Sequence, residues 1–282
     1  MALGSELFEN RLRAIIANKT RTRQAAETYN RMTGAKKKYT TAIAICVQEV
    51  TEDGSNLQLG ERFDERQLSL LSQAFTADTL VSALSTPDAA VRLFFGDDPD
   101  TIASVGKIVD YLRKRLEKEN GTPLDRERFD EIEVPANRWG IKMEEAMKAC
   151  FAEGFEKVIF LGSRAPTVTL SLIRQAINEL DDHDAVFGPT VEGRYYLMGM
   201  KGAYHTSLAK FNWRKPSIYS DVSSALTKEG HNWAELPMWY VVEHPEDIEY
   251  LVRDINQFRM EGDETTAYET EKTLERFLAE TE

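Results

Sequence analysis

The stretch KVIFLGSRAPT, residues 157–167, combines a short apolar run with a turn and the approach to a helix. The run at 157–161 is too short for a typical helix, which predicts a buried strand. Gly162 and Ser163 then supply turn chemistry, and the following pattern predicts a helix of about a dozen residues through Leu180. A strand that turns directly into a helix is the repeating unit of an α/β sheet.

The same alternation continues on both sides of this unit. Toward the N-terminus the sequence predicts strands at 39–50 and 91–95 and helices at 64–84, 101–119 and 140–153. Toward the C-terminus it predicts a strand at 184–187, a turn and a second strand within 188–200, a strand at 239–242 and a helix at 246–260. This order predicts a doubly wound α/β domain with a mostly parallel sheet. Ligands bind at the carboxyl ends of such strands, here the loops after Val47, Leu161 and Val242.

Composition places the chain among globular proteins and excludes several classes of function. Its 282 residues are 42% hydrophobic, enough to bury a sizeable core. No apolar run approaches the roughly 18 residues of a membrane span, and the N-terminal region lacks a signal peptide's apolar centre, so we expect a cytoplasmic protein without membrane contact. The net charge of −12 argues against nucleic-acid binding. Neither the two cysteines nor the four histidines show ligand-like spacing, so no metal site is predicted.

Charge is divided unevenly between the two ends of the chain. Residues 1–40 carry nine Lys or Arg against three Asp or Glu, whereas residues 243–282 carry four against thirteen. We therefore predict three parts: an N-terminal helical extension at 1–38, the α/β domain at 39–260 and an acidic C-terminal helix at 261–282. Two interpretations of the terminal helices stay open, packing on their own domain or contact with a second subunit or a partner protein.

The turn after Leu161 presents backbone N–H groups where a phosphate can bind. By itself this pattern is weak, since ordinary strand-to-helix turns look the same. Two further segments make the combination more specific: HDAVFGPTVEGRYYLMGM at 183–200 and WYVVEHPEDIEYL at 239–251.

Together the three segments resemble the radical-SAM/selenodomain-associated transferase family, a branch of the glycosyltransferase-A, nucleotide-diphospho-sugar transferase fold. The resemblance extends from about Tyr39 to Leu251 and is densest at 155–200. It implies a nucleotide-sugar or other small phosphorylated ligand. The matching positions that it implies as substrate-binding residues are Gly162, Ser163, Arg164, Pro166, Arg194, Tyr195 and Glu243.

The sequence departs from this family at two strand ends. The resemblance implies Mg²⁺ or Mn²⁺ held by a carboxylate at the position of Arg164, and an arginine cannot coordinate either ion. The basic loop that usually follows the first strand is replaced by one with Glu49, Glu52 and Asp53, in which at best Arg62 survives from the basic pattern. We therefore expect no intact metal site, and only Glu243 and Glu192 remain as candidate ligands.

Three functions stay open at this point. The first is metal-independent glycosyl transfer, with Arg164 and Arg194 holding the diphosphate and Glu192 or Asp221 as the base. The second is a catalytically inactive relative that senses a ligand or binds a partner. The third is a nucleotidyltransferase, which the acidic first loop disfavours. Tyr195 can stack on a base or sugar, although tyrosines in a strand more often fill a core.

Overall fold

The strands and helices were located in a computed structural model that describes residues 38–47, 59–60, 62–121, 123–134, 138–203, 205–213 and 215–280. The strands are β1 (Thr41–Cys46), β2 (Ala89–Phe95), β3 (Phe129–Glu133), β4 (Lys157–Gly162), β5 (Ala185–Pro189), β6 (Tyr195–Lys201) and β7 (Trp233–Glu235). The helices are α1 (Glu65–Leu84), α2 (Pro99–Asn120), α3 (Trp139–Ala152), α4 (Leu170–Asp182), α5 (Ile218–Lys228), α6 (Asp247–Met260) and α7 (Tyr268–Ala279). Among these helices, none has the length and apolar character required to cross a membrane.

The seven strands form one sheet in the order β3-β2-β1-β4-β6-β5-β7. All neighbouring pairs are parallel except the two that involve β6, which runs antiparallel to both β4 and β5. Every residue of β1 and β2 is buried, as expected for central strands covered on both faces. The prediction of a mostly parallel α/β sheet is confirmed.

Helices cover both faces of the sheet, which is the doubly wound arrangement. One face packs against α1, α2 and α4 through residues such as Leu80, Ile108 and Ile173. The other packs against α3 and α5 through residues such as Met147 and Val222. Since successive residues of a strand point to opposite faces, an almost uninterrupted apolar strand is needed to supply both layers.

Helix boundaries follow capping signals in the sequence. Asp64 caps α1 in a capping box, because its carboxylate accepts from the Gln67 N–H and the Gln67 side chain accepts from the Asp64 N–H. Asp98 caps α2, which ends at Gly121 in the left-handed conformation at φ 70°. These local contacts explain why the predicted ends of both helices lie within two residues of the observed ones.

The C-terminal helix α7 packs on α1 through a buried carboxylate. Asp78 of α1 accepts hydrogen bonds from the backbone N–H groups of Glu269 and Thr270, at 3.0 and 2.8 Å, and from the Thr270 hydroxyl at 2.6 Å. The unpaired backbone N–H groups at the start of α7 are therefore capped by a side chain of α1 rather than by a residue of their own helix. Phe277 of α7 belongs to a separate apolar cluster with Leu71 of α1 and residues of α6.

The structure differs from the predictions in two respects, and two predicted features lie outside the described residues. The strand predicted at 239–242 is an irregular segment with a single bridge between Thr190 and Trp239, because it crosses the strand ends rather than extending the sheet. The short strands β3 and β7 were not predicted. The predicted N-terminal helix and the acidic loop after Val47 lie in residues 1–37 and 48–58, outside the described residues.

Candidate functional site

The loop after β4 lies at the carboxyl end of the sheet and carries the first group of predicted residues. Gly162 ends β4, Ser163 and Pro166 are buried, and the helix α4 begins only at Leu170. The side chain of Thr169 caps this helix by accepting from the Leu172 N–H at 3.4 Å. The loop is thus a packed connection that presents Arg164.

The segment 239–243 crosses this loop and the end of β5. The Trp239 N–H donates a hydrogen bond to the Pro189 carbonyl at 3.0 Å, and the Val242 N–H donates one to the Arg164 carbonyl at 2.8 Å. The fully buried Thr167 strengthens the crossing, since its hydroxyl donates to the Tyr240 hydroxyl and accepts from the Trp239 indole. The crossing brings Glu243 to the carboxyl ends of β4 and β5.

Asp247, in the first turn of α6, holds Glu243 in place. Its Oδ2 accepts hydrogen bonds from the backbone N–H groups of Glu243, at 2.9 Å, and His244, at 2.8 Å. Sequence reasoning places Asp247 at a helix start but assigns it no part in the site. The sequence did carry a signal for this role. Asp247 follows Glu243 by four residues and His244 by three, a spacing typical of an aspartate that accepts hydrogen bonds from the backbone of a turn.

Arg164, Arg194 and Glu243 meet at this point, and we refer to them as the arginine cluster. Glu243 Oε1 lies 3.5 Å from a guanidinium nitrogen of Arg164, and its Oε2 lies 2.5 Å from one of Arg194. The side chains of Arg164 and Glu243 are 12% and 13% exposed, and that of Arg194 is 33% exposed. One carboxylate thus faces two guanidinium groups in a mostly desolvated setting that opens to solvent at Arg194.

The arginine cluster carries a net positive charge. Burial lowers the pKa of Arg164 to about 10, with the Glu243 carboxylate opposing this shift and the Arg194 charge adding to it. Arg164 is therefore protonated at neutral pH. The two guanidinium groups and the Glu243 carboxylate sum to +1. The Glu192 carboxylate beside His244 offsets this charge on one side, so the guanidinium groups themselves are the part of the site that suits an anion.

The turn between β5 and β6 sets the position of Arg194. Its backbone N–H donates to the Thr190 hydroxyl at 3.1 Å, and its carbonyl accepts from the Thr190 N–H at 2.9 Å. Gly193 precedes it with φ 74°, and a Cβ there would lie 2.1 Å from the Pro216 carbonyl oxygen. Only glycine satisfies both the left-handed backbone and this close approach.

Gly193→Ala is expected to lower the free energy of unfolding by about 2–4 kcal/mol, because it adds both backbone strain and a clash with Pro216. Gly202→Ala is the matched control, since Gly202 has the same φ of 74° but open space around a Cβ. Gly202→Ala is expected to lower the free energy of unfolding by only about 1–2 kcal/mol. Chemical denaturation of both variants measures the difference, and equal losses would contradict the assigned close approach.

The residues present do not fit the divalent cation that this type of fold implies. Glu192, Glu243 and His244 do bring one ligand atom each within 4.8 Å of one another. However, both oxygens of Glu243 already face guanidinium groups, and a second positive ion would lie beside Arg164 and Arg194. The interactions of Glu243 therefore favour an anion over Mg²⁺ or Mn²⁺.

The remaining predicted residues are divided between this cluster and other parts of the fold. The Glu192 carboxylate lies 3.7 Å from the imidazole of His244, next to Glu243. Asp221 lies in the first turn of α5, where it accepts a hydrogen bond from Ser217. The placement of Asp221 thus gives it a local contact in its own helix.

Tyr195 does not reach the arginine cluster with its ring. Its hydroxyl donates toward the carbonyl oxygens of Ile218 and Tyr219, and its ring packs on Phe187 and Trp213. Burial raises the pKa of Tyr195. In the structure this side chain packs on the α3 and α5 side of the sheet, and its contact with substrate stays a prediction.

Comparison with protein families gives one match. A family profile described as "Uncharacterized protein conserved in bacteria (DUF2064)" matches residues 113–215, less than half of the chain. The matched stretch contains both the loop after β4 and the turn that carries Arg194. A search of curated proteins finds no match to the chain.

Comparison with solved structures gives similarity over most of the described chain. A protein from Desulfovibrio desulfuricans G20, provisionally named a nucleotide-diphospho-sugar transferase, is similar with a TM-score of 0.64 at 20% identity, over 86% of this chain and 96% of that one. A 4-diphosphocytidyl-2C-methyl-D-erythritol synthase from Anaerococcus prevotii DSM 20548 has a TM-score of 0.47 at 15% identity, over 78% of this chain and 97% of that one. The first of these likenesses, together with the sheet order, shows that the chain has a nucleotide-diphospho-sugar transferase-like fold.

Proposed function

We propose that this protein binds a nucleotide-diphosphate sugar and transfers its glycosyl group without a divalent cation. The observation that carries the proposal is the convergence of Arg164 and Arg194 on one carboxylate at the carboxyl end of the sheet. Parallel α/β sheets bind their ligands at this edge. In this proposal the diphosphate replaces Glu243 as the anion between the two guanidinium groups.

In the proposed reaction the two arginines stabilise the diphosphate leaving group. When the bond between the sugar carbon and the diphosphate oxygen breaks, negative charge grows on the diphosphate, and planar guanidinium groups hold such oxygens through paired hydrogen bonds. The acceptor hydroxyl forms the new bond to the sugar carbon and loses its proton to a base. Glu192 is the better placed of the two predicted bases, because its carboxylate lies beside His244 at the cluster.

Glu243 then acts as an internal anion in the ligand-free protein. It is only 13% exposed and pairs with both arginines, so the buried Arg164 guanidinium keeps a carboxylate partner while no substrate is bound. Entry of a diphosphate requires Glu243 to turn away from at least one guanidinium. The half-exposed Arg194 is the accessible one, with 33% of its side chain exposed against 12% for Arg164.

Arg164→Ala is expected to weaken nucleoside diphosphate binding by about ten- to a hundredfold, the effect of losing a charged hydrogen-bond donor. Calorimetric titration with nucleoside diphosphates and nucleotide sugars, in EDTA and again with Mn²⁺, measures this change. Arg174→Ala is the matched control, since Arg174 is an exposed arginine on the helix after the same loop. Failure of the unaltered protein to bind these ligands at millimolar concentration would contradict the proposed function.

We also propose that the chain is a divergent member of the radical-SAM/selenodomain-associated transferase family. The support is the set of matching positions in the three segments around Gly162, Gly193 and Pro245. The divergence lies in the charged groups, because Arg164 stands where that family carries a carboxylate.

A second candidate function is a ligand-binding protein without catalysis. It is favoured by the same replacement, since the pairing of Arg164 with Glu243 removes the carboxylate pair that a metal-dependent transferase would use. The two functions share the ligand and differ in turnover. Release of nucleoside diphosphate from a bound nucleotide sugar supports the transferase, whereas tight binding without turnover supports the second function.

A further inference from the structure

Three chemistry-bearing side chains meet at the edge of the sheet opposite the arginine cluster. Asp184 directly precedes β5, His205 follows β6, and His231 precedes β7. Because β6 is antiparallel to β5, while β7 is parallel to β5, these three chain positions lie at the same edge. We refer to Asp184, His205 and His231 as the histidine cluster.

The spacing of the histidine cluster suits a transition metal. Each of the three residues offers one ligand atom, and these atoms lie within 4.8 Å of one another. His231 Nδ1 and Asp184 Oδ2 are 3.4 Å apart. Two ligand atoms bonded to one tetrahedral Zn²⁺ at about 2.1 Å lie about 3.4 Å apart, so this pair already has the separation that coordination requires.

Hydrogen bonds with neighbouring groups orient two of the three candidate ligands, Asp184 and His205. Asp184 is held against Asn232, whose N–H donates to Asp184 Oδ2 at 3.1 Å and whose side-chain oxygen accepts from the Asp184 N–H at 2.9 Å. His205 Nε2 lies 2.7 Å from the Lys201 carbonyl oxygen. A carbonyl only accepts, so Nε2 is the donor and Nδ1 is the nitrogen available to a metal, the arrangement that outer partners impose on metal-binding histidines.

The second imidazole lies against the first. The rings of His205 and His231 have centroids 4.2 Å apart, so an ion held between His231 and Asp184 is also within reach of His205. The side chains of His231 and Asp184 are 28% and 41% exposed, which leaves a path for an ion and for a water as the fourth ligand.

We propose that the histidine cluster is a Zn²⁺ site, formed by two imidazoles and one carboxylate and separate from the arginine cluster. It joins three connections: the one into β5, the one after β6 and the one into β7. Imidazole and carboxylate ligands in this number suit Zn²⁺, and Co²⁺ can take the same place as a spectroscopic probe.

The test uses the full-length, tag-free protein after treatment with a chelator. Calorimetric titration with Zn²⁺ is expected to show one site, and Co²⁺ is expected to give the visible absorption of a tetrahedral complex. His205→Ala and His231→Ala are each expected to weaken Zn²⁺ binding more than about tenfold. Loss of a residue that only hydrogen-bonds to a metal ligand already weakens binding by about tenfold or more, and loss of a ligand itself has a larger effect. At a hundredfold excess over Kd, Zn²⁺ is expected to raise the Tm of the unaltered protein by about 5–10 °C.

Two histidine controls locate the ion. His183→Ala removes a neighbouring histidine at the same edge, and His244→Ala removes the one beside Glu192 and Glu243. Both controls are expected to bind Zn²⁺ as the unaltered protein does. Circular dichroism checks that each variant is folded. No binding at millimolar Zn²⁺, a site that persists in both cluster variants, or a site that His244→Ala removes would each overturn the proposal.

Discussion

Replacing Glu243 with glutamine is expected to tighten metal-free binding of a nucleoside diphosphate by about ten- to a hundredfold. Glu243 occupies both guanidinium groups of the arginine cluster, at 2.5 and 3.5 Å, so a diphosphate must displace a charged partner before it can bind. Glutamine keeps the shape of the side chain and removes its charge. The gain corresponds to about 1.4–3 kcal/mol, the size of one hydrogen bond to a charged group.

The same substitution is expected to lower the stability of the ligand-free protein. Without the carboxylate, Arg164 and Arg194 face each other with uncompensated charge, and Arg164 is only 12% exposed. The Tm is therefore expected to fall without ligand and to recover when a nucleoside diphosphate is added. Thermal unfolding with and without ligand measures both effects.

Glu249→Gln is the matched control for Glu243→Gln, because Glu249 is exposed in the first turn of α6, a few residues further on. It is expected to leave affinity and Tm close to those of the unaltered protein. The alternative role of Glu243 as a metal ligand predicts the opposite sign. If binding required Mn²⁺ and Glu243→Gln abolished it, the arginine-based proposal would be wrong.

Replacing Asp78 with alanine is expected to lower the free energy of unfolding by about 3–5 kcal/mol and to release α7 from α1. Asp78 is 2% exposed, and its carboxylate accepts hydrogen bonds from two backbone N–H groups and one hydroxyl. Alanine leaves these donors buried without an acceptor. Each unsatisfied donor costs about 1–3 kcal/mol.

Chemical denaturation measures the loss, and hydrogen exchange identifies where it occurs. The amides of Glu269 and Thr270 donate directly to Asp78, so they are expected to lose their protection first. Asp110→Ala, at an exposed position of α2, is the control and is expected to change stability by less than about 0.5 kcal/mol. Unchanged protection of the α7 amides in Asp78→Ala would contradict this account of how the helix is attached.

Most helices and the central strands could be predicted from local patterns. The apolar runs of β1 and β4 predict buried strands, and Asp64 and Gly121 lie near predicted helix boundaries that the structure confirms. Such features depend on side-chain periodicity and on hydrogen bonds between residues three or four apart. The short strands β3 and β7 lack this signal, because three to five residues with mixed burial do not form a clear period.

Candidate site residues could be named from the sequence, but their partners could not. Resemblance to a family singled out Arg164, Arg194 and Glu243, yet the pairing of all three depends on a segment that crosses the ends of β4 and β5. The same segment was predicted as a strand. Tyr195 illustrates the same limit, because its neighbour Arg194 reaches the cluster while its own ring packs among the residues of α3 and α5.

The amino-acid sequence alone specifies the alternation of strands and helices, the globular type of composition and an arginine at position 164. The tertiary structure adds the contacts between residues far apart in the chain: Arg164 with Glu243, 79 residues later, and Asp184 with His231, 47 residues later. These contacts arise from strand order and crossing segments. Local periodicity carries no information on either, because a side chain finds a distant partner only after the sheet has set which strand ends lie side by side.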